Sequence, residues 1–405
     1  MNLKDNHLVA VDAGSSKTCA LVAEVTGAGT LRCVALGRAE SKGWRKGLIV
    51  NLDAAVASIR KAVEEAEQAI NAPIESAVVG LGASQVKGVN SRGGITLSSR
   101  HREIQRDDVR KALDAARNVS LPSDCGIVHV IPQEFLLDLQ DGIRDPVGMI
   151  GSRLEVNVHV VTAASSAMTN LVTAANRAGL VVEETVLEPL AAAEAVLTSD
   201  ARELGVVLLD IGAGSSDGAV FRQGSLQHTF TIAIGGDHFT NDIAVGLRTP
   251  IPDAEKIKRT FGVATHLLVG ENTSIEVPSV GDRPSRLVPQ KYLADVLEPR
   301  AEELIRLVRD ELRRAGLERQ MGAGIVLTGG GARLGGLCDV AEDVLDTPAR
   351  IGLPPRIEGG RDELCHAEYA ALVGLLFFAQ RVRQKRDASN KGLGARLKSF
   401  FAGKS

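Results

Sequence analysis

The chain has 405 residues, 44% of them hydrophobic, enough for a sizeable core divided over two to four units. Its five cysteines (Cys19, Cys33, Cys125, Cys338, Cys365) form no C-x-x-C pair or His/Cys cluster, which argues against a disulfide framework or a structural zinc site and fits a reducing cytoplasm. The net charge of −3 is uneven: residues 381–405 carry eight Lys or Arg against Asp387, leaving −10 on the rest, and an acidic body with two Tyr and one Trp offers no surface for nucleic acid.

In chain order, the N-terminal MNLKDNHLVAVDAG holds no apolar run long enough for a signal peptide. LVAVDAGSSKTCALVAEV then reads as a hairpin: an apolar β-branched run ends in D-x-G, turns through small residues and continues into a second apolar run. Helical periodicity follows at Asp53 to Ala69 and a strand-like run at Ser76 to Gly80. Between Gln85 and about Thr162 the texture changes to four short strands, GGITLSS, GIVHVIP, EFLLDL and LEVNVHVV, with one helical stretch at Asp107 to Asn118; this predicts an inserted α+β subdomain. Further patterns predict helices at Ser165 to Ala178 and Pro189 to Leu197, with a strand at Val181 to Leu187 between them.

The opening hairpin then recurs 198 residues on as VVLLDIGAGSSDGAVF around Asp210, which predicts a duplicated, mixed α/β fold. From about Pro250 to Arg314 a second, mostly helical insertion contains AEKIKRTFG and PQKYLADVLEPRAEELIRLVRDELRRAG, separated by loop signals at Ser279 to Pro284. The longer segment is amphipathic through Leu293, Val296, Leu297, Leu304, Ile305 and Val308. IVLTGGGARLGGL predicts a strand, a glycine turn and a helix opening near Leu334. PLAAAEAVL and AEYAALVGLL carry small faces at Ala191, Ala192, Ala193, Ala370, Ala371 and Gly374; they suit helices that connect two lobes, and equally ordinary core packing. The longest apolar stretch, Ala370 to Ala379, is far short of the ~20 residues a spanning helix needs. After Gln380, RVRQKRDASNKG reads as a disordered charged linker.

The chemistry concentrates in the glycine turns. In DAGSSKT, Asp12 ends a strand, the backbone around Gly14, Ser15 and Ser16 can converge on an anion, and Lys17 adds a point charge for phosphate. DIGAGSSD repeats this from the other side, with carboxylates at Asp210 and Asp217, close backbone approach at Gly212 and Gly214, and Ser215 and Ser216 beside them. Facing hairpins of this kind would enclose the β- and γ-phosphates of ATP. Because two aspartates would repel a triphosphate, Mg²⁺ held by Asp12 and Asp210, directly or through waters, is expected as mediator. Gly329, Gly330 and Gly331 would let backbone lie against a flat purine or its ribose. A glycine turn after a strand is by itself ordinary turn chemistry; the ordered set of three carries the reading.

The tail KGLGARLKSFFAGKS spaces Leu393, Leu397, Phe400 and Phe401 on one helical face, flanked by Arg396 and Lys398. Four such side chains gain at most ~6–12 kcal/mol gross on burial. About 1 kcal/mol per nearby basic residue adds to this, and ordering a short helix subtracts from it. The expectation is weak, reversible binding to anionic lipid. A frayed end or a helix docked in a protein groove are the alternatives.

With these motifs in this order, the chain resembles FtsA, the family of actin-like bacterial cell-division proteins that tethers the tubulin-like FtsZ ring to the membrane. The stretch HVIPQEFLLDLQDGIRDPVGMIGSRLEVNVHVVTA is similar to the family's characteristic inserted subdomain. The resemblance implies an actin-like, ribonuclease-H-like duplicated two-lobed fold. Its parts would be subdomain 1A (1–84 and 164–189), 1C (85–163), 2A (190–245 and 316–360), 2B (246–315), a return helix to 1A (361–380), a flexible linker (381–390) and a membrane-targeting amphipathic helix (391–405). It also implies that TGGGARLGGL, including Arg333, contacts the nucleotide, and that Glu255 and Lys258 meet the ribose. Arg300, with Lys291 as neighbour, would hold the acidic C-terminal peptide of FtsZ; a solvated surface charge is the alternative. Ala213 and Ser215 stand where the family often has Gly and Thr, which bears on hydrolysis more than on binding.

The function implied is an ATP-binding scaffold, with slow or no hydrolysis, that polymerises on the cytoplasmic face of the membrane, anchors FtsZ and recruits later division proteins through 1C. A small-molecule kinase of the sugar/acetate-kinase fold and a pilus-assembly relative are the alternatives.

Overall fold

A computed structural model describes residues 6–82, 86–97, 101–271, 273–281 and 283–384. Each D-x-G motif closes an antiparallel hairpin. His7–Ala13 pairs with Lys17–Val25, and Val206–Ile211 with Ser216–Arg222. Each hairpin sits inside a five-stranded sheet. The first runs Val181–Leu187, Ser76–Leu81, His7–Ala13, Lys17–Val25, Leu31–Glu40; the second runs Ala349–Ile351, Ile325–Thr328, Val206–Ile211, Ser216–Arg222, Ser225–Ile232. In both, the motif strand pairs antiparallel on one side and parallel on the other, so the duplication extends to the whole sheet. The strands bury both faces under helices, which is why they read as continuous apolar runs.

The two sheets meet through crossing helices. Glu188–Val196 packs Ala192, Ala193 and Val196 with Val206, Leu208 and Ala219 of the second sheet. The helix over residues 370–384 lays Leu372, Val373, Leu375 and Leu376 on Leu8, Ala10, Leu21 and Val78 of the first. At the crossing, a Cβ on Gly374 would lie 1.7 Å from the Ala191 carbonyl oxygen.

The insertion forms a four-stranded sheet, Gln140–Ile143, Cys125–Leu137, Arg153–Ala164, Lys87–Thr96, with the helix Arg106–Arg117 against it. One expectation is corrected here: GIVHVIP and EFLLDL are a single 13-residue strand. Pro132 does not end it, because the register shifts between Val158↔Pro132 and Asn157↔Glu134, leaving Gln133 as the extra residue of a bulge.

In the second insertion, the loop at 279–284 proves to be the connection of a hairpin, Ser274–Val277 with Arg286–Pro289, between the helices Ile251–Phe261 and Gln290–Arg314. The longer helix continues through Pro299. An interior proline costs about 3 kcal/mol, and a buried stripe of Leu293, Leu297, Leu304, Ile305, Val308 and Leu312 outweighs it. After Gly329, a 3₁₀ turn (Gly330–Arg333) precedes the helix Leu337–Leu345, which opens three residues later than expected because Gly336 takes φ 78°. No described helix is long and apolar enough to cross a membrane. The disordered linker expected after Gln380 is corrected in its first part, because residues 381–384 continue the helix that begins at 370; the rest of the linker and the tail positions Leu393, Arg396, Leu397, Lys398, Phe400 and Phe401 lie outside the described residues, which end at 384.

Candidate functional site

The two D-x-G turns face each other across a cleft of about 670 Å³, within the usual range for small-molecule sites. Asp12, Gly14, Ser15, Ser16 and Lys17 line one wall, and Asp210, Gly212, Gly214 and Ser215 the other. Glu255, Lys258 and the loop Gly329, Gly330, Gly331, Arg333 complete it. The fold thus gathers every candidate from the turns except Ser216. That residue is buried in the strand, its Oγ donating to the Ile234 carbonyl at 2.7 Å.

Four carboxylates converge on the floor. Burial pushes Asp12 up to about 6, partly opposed by Lys17, and pushes Asp217 to about 6 against hydrogen bonds from Thr231 and Ser215. Asp210 rises to about 8, from burial first and then from the charges of Asp217 and Asp12. Glu188 rises from burial and from the same three aspartates. Glu188 Oε1, Asp217 Oδ1 and Lys17 Nζ are buried with no hydrogen-bond partner among the described residues. Such a site is electrostatically incomplete and suits a cation together with an anionic ligand. Among the described residues, no three of His, Cys, Asp and Glu are placed to hold a metal ion by themselves. A divalent ion here would take its remaining oxygens from water and from the ligand.

Lys17 Nζ lies 3.5 Å from the Tyr369 ring centroid and 3.8 Å from Glu368, which also meets Arg333 at 3.4 Å. Lys258 Nζ is fixed by Glu255 at 2.7 Å, Thr240 Oγ1 at 2.7 Å and the Gly236 carbonyl at 2.9 Å. Sequence reasoning missed Glu188, Thr240 and Glu368. Glu188 directly precedes the small-faced helix sequence, while Thr240 and Glu368 belong to no glycine motif.

Away from the cleft, the Arg300 guanidinium is bound by Asp242 through two contacts, at 2.7 and 3.1 Å, and by Glu303. Lys291 is exposed on the same helix, nine residues earlier and therefore ~14 Å along the axis. The structure does not bring these two side chains together in one contact.

The raised acid values set a sign for stability. Asp210 is protonated in both folded and unfolded chains below about pH 4, whereas between pH 4 and 8 only the unfolded chain ionises. The empty-cleft protein should therefore lose stability as pH rises through that window. Asp210→Asn should melt above the parent at pH 8, with the difference shrinking towards pH 5 in thermal melts. A pH-independent difference would contradict the burial of that carboxylate.

Residues 207–374 match the family model "Cell division protein FtsA", and residues 83–162 match the SHS2 domain inserted in FtsA. Cell division protein FtsA of Pseudomonas aeruginosa is 44% identical over 92% of this chain and 88% of its own. That of Escherichia coli K12 is 38% identical over 94% and 92%, and that of Bacillus subtilis 39% identical over 94% and 85%. Among solved structures, a PilM–PilN type IV pilus biogenesis complex aligns with TM-score 0.65 at 19% identity, over 92% of this chain and 98% of that one. MreB5 of Spiroplasma citri bound to ADP aligns with TM-score 0.58 at 14% identity, over 95% and 99%. The last two likenesses are of fold alone, and the fold is actin-like with an inserted SHS2 domain. Identity well above 30% over nearly the whole length carries more: this chain belongs to the FtsA family of cell division proteins.

Proposed function

We propose that this cell-division protein binds ATP with Mg²⁺ between its lobes and uses it to set assembly into filaments on the cytoplasmic face of the membrane, where it anchors the FtsZ ring. The observation that carries the reading is the convergence of two backbone-lined turns, four carboxylates and the Lys17 ammonium, held by Glu368 and the Tyr369 ring, on one cleft. Backbone N–H groups of the two turns cradle the β- and γ-phosphates, and Lys17 leaves the Tyr369 ring to meet them. A bound Mg²⁺ would neutralise charge there, and Asp12 and Asp210 would hold it, directly or through waters. Glu188, aimed into the same floor, orients a water or holds a proton. Glu255 and Lys258 take the ribose, and Gly329, Gly330, Gly331 and Arg333 the purine side.

In this reading subdomain 2B (246–315) presents Arg300 and Lys291 to the acidic C-terminal peptide of FtsZ. A peptide carboxylate then competes with Asp242 for the guanidinium. Subdomain 1C (85–163) meets later division proteins. Residues 391–405 lie on anionic lipid, and because one such tail binds weakly, polymerisation supplies avidity. Nucleotide-dependent assembly and membrane residence therefore rise together.

The test is co-sedimentation with anionic vesicles and FtsZ, with and without ATP. Deleting residues 391–405 should remove the protein from the vesicle pellet. Arg300→Glu should leave vesicle binding intact and lose FtsZ from the pellet. Unchanged sedimentation of the truncated chain with ATP would sink the membrane reading.

A further inference from the structure

One part of the cleft lining, at Gly47, belongs to a hairpin outside the two D-x-G turns. Residues 43–50, GWRKGLIV, form a small hairpin in which Trp44 pairs with Ile49 and Arg45 with Leu48. Its two-residue turn places Lys46 at φ 52° and Gly47 at φ 73°, the left-handed pair that a tight hairpin turn requires. Lysine is an unfavourable residue there, so packing around the tip must hold the turn in place.

That packing comes from both phosphate turns. The Gly47 N–H donates to Ser15 Oγ at 3.0 Å, and Gly47 itself lines the cleft. From the opposite lobe, Gly214 presses on the tip so closely that a Cβ there would lie 2.7 Å from Lys46 Cα and 3.2 Å from Ser15 Oγ. The base of the hairpin rests on the first lobe's core through Trp44 and Ile49. The Trp44 Nε1–H is buried with no acceptor among the described residues, a cost to this seating of the hairpin.

We infer that the hairpin Trp44–Ile49 is a clamp that makes the cleft selective for a nucleoside triphosphate over a diphosphate; this rests on the nucleotide reading above. A terminal phosphate between the two turns fixes Gly214 and Ser15 together, and that pair is the seat of the hairpin tip. Because Ser15 Oγ accepts from Gly47, its own O–H is left to donate to a phosphate oxygen. With a diphosphate, the contact through which the terminal phosphate ties Gly214 to Ser15 is lost, and half of the tip's seat is no longer fixed. The residues at 15 and 47 are therefore positioning residues for recognition of the terminal phosphate.

Trp44 is the single tryptophan of the chain, so its emission reports the clamp directly. The experiment uses the full chain with Mg²⁺ and either a non-hydrolysable ATP analogue or ADP, following Trp44 emission and the dissociation constant of each. The emission should change with the triphosphate and not with ADP. Gly47→Ala, which strains the turn, and Ser15→Ala, which removes both the acceptor for Gly47 and the hydroxyl donor to the phosphate, should each weaken binding of the triphosphate analogue about tenfold more than binding of ADP. Ser15→Ala keeps the test decisive if Gly47→Ala does not fold. Equal emission changes with both nucleotides, or variants that weaken both equally, would overturn the clamp and leave the nucleotide reading standing. If the parent binds neither nucleotide, both fall.

Discussion

Gly374→Ala is expected to lower the melting temperature more than any other single methyl addition between the connecting helices. The added Cβ would sit 1.7 Å from the Ala191 carbonyl oxygen, 2.3 Å from its carbon and 3.1 Å from Ala192 N. These are backbone atoms of a second helix, so no rotamer change relieves the overlap and the helices must part. Alanine in a helix interior gains about 1 kcal/mol over glycine, whereas overpacking of this kind costs about 3 kcal/mol or more. The loss wins. Thermal unfolding of parent and variant measures it, and a variant that melts at or above the parent would show that the helices do not cross at this distance. Both lobes keep their own buried cores, so the separation should be felt most where Ala192, Ala193 and Val196 join the second sheet.

The second large effect is expected at Gly329→Ala, as a loss of ATP affinity of ~100-fold. Gly329 adopts φ 82° and ψ 172°, a region open essentially to glycine alone. A Cβ there would also meet Asp210 Oδ1 at 2.2 Å and the Ile211 carbonyl oxygen at 2.6 Å. Asp210 is held in register opposite Thr328, so the strand cannot yield. Relief comes from displacing the Asp210 carboxylate and opening the glycine loop, and both are cleft walls. Titration calorimetry with Mg·ATP reads the change. Gly27→Ala, whose Cβ meets open space, should bind as the parent does. Equal affinity in Gly329→Ala and the parent would remove this loop from the nucleotide site.

Local chemistry made much of the cleft legible in advance. An apolar run ending in D-x-G with small residues after it can do little but turn, and the amphipathic stripe from Leu293 to Val308 marked its helix correctly even across Pro299. Errors arose where a local signal was answered by a distant partner. Pro132 reads as a strand end, yet the bulge opposite Asn157 and Val158 absorbs it. Ser279 to Pro284 reads as a plain loop, yet it joins two strands that pair only with each other. Ser216 shares its motif with cleft residues, but strand pleating turns it inward to Ile234.

The sequence by itself determined the duplicated hairpins, the α+β insertion, the glycine turns and the localised basic charge, because each is written in neighbouring residues a few positions apart. Only the tertiary structure decided that Glu188 and Glu368 face the cleft, that Gly374 rides on Ala191, and that the hairpin at Trp44 bridges the two glycine turns. Those facts join residues from 32 positions apart, as Ser15 and Gly47, to 351, as Lys17 and Glu368. Turn propensity and hydrophobic period act over about one turn of helix or one hairpin; burial, close backbone approach and the raised pKa of four converging carboxylates exist only once the two sheets have packed.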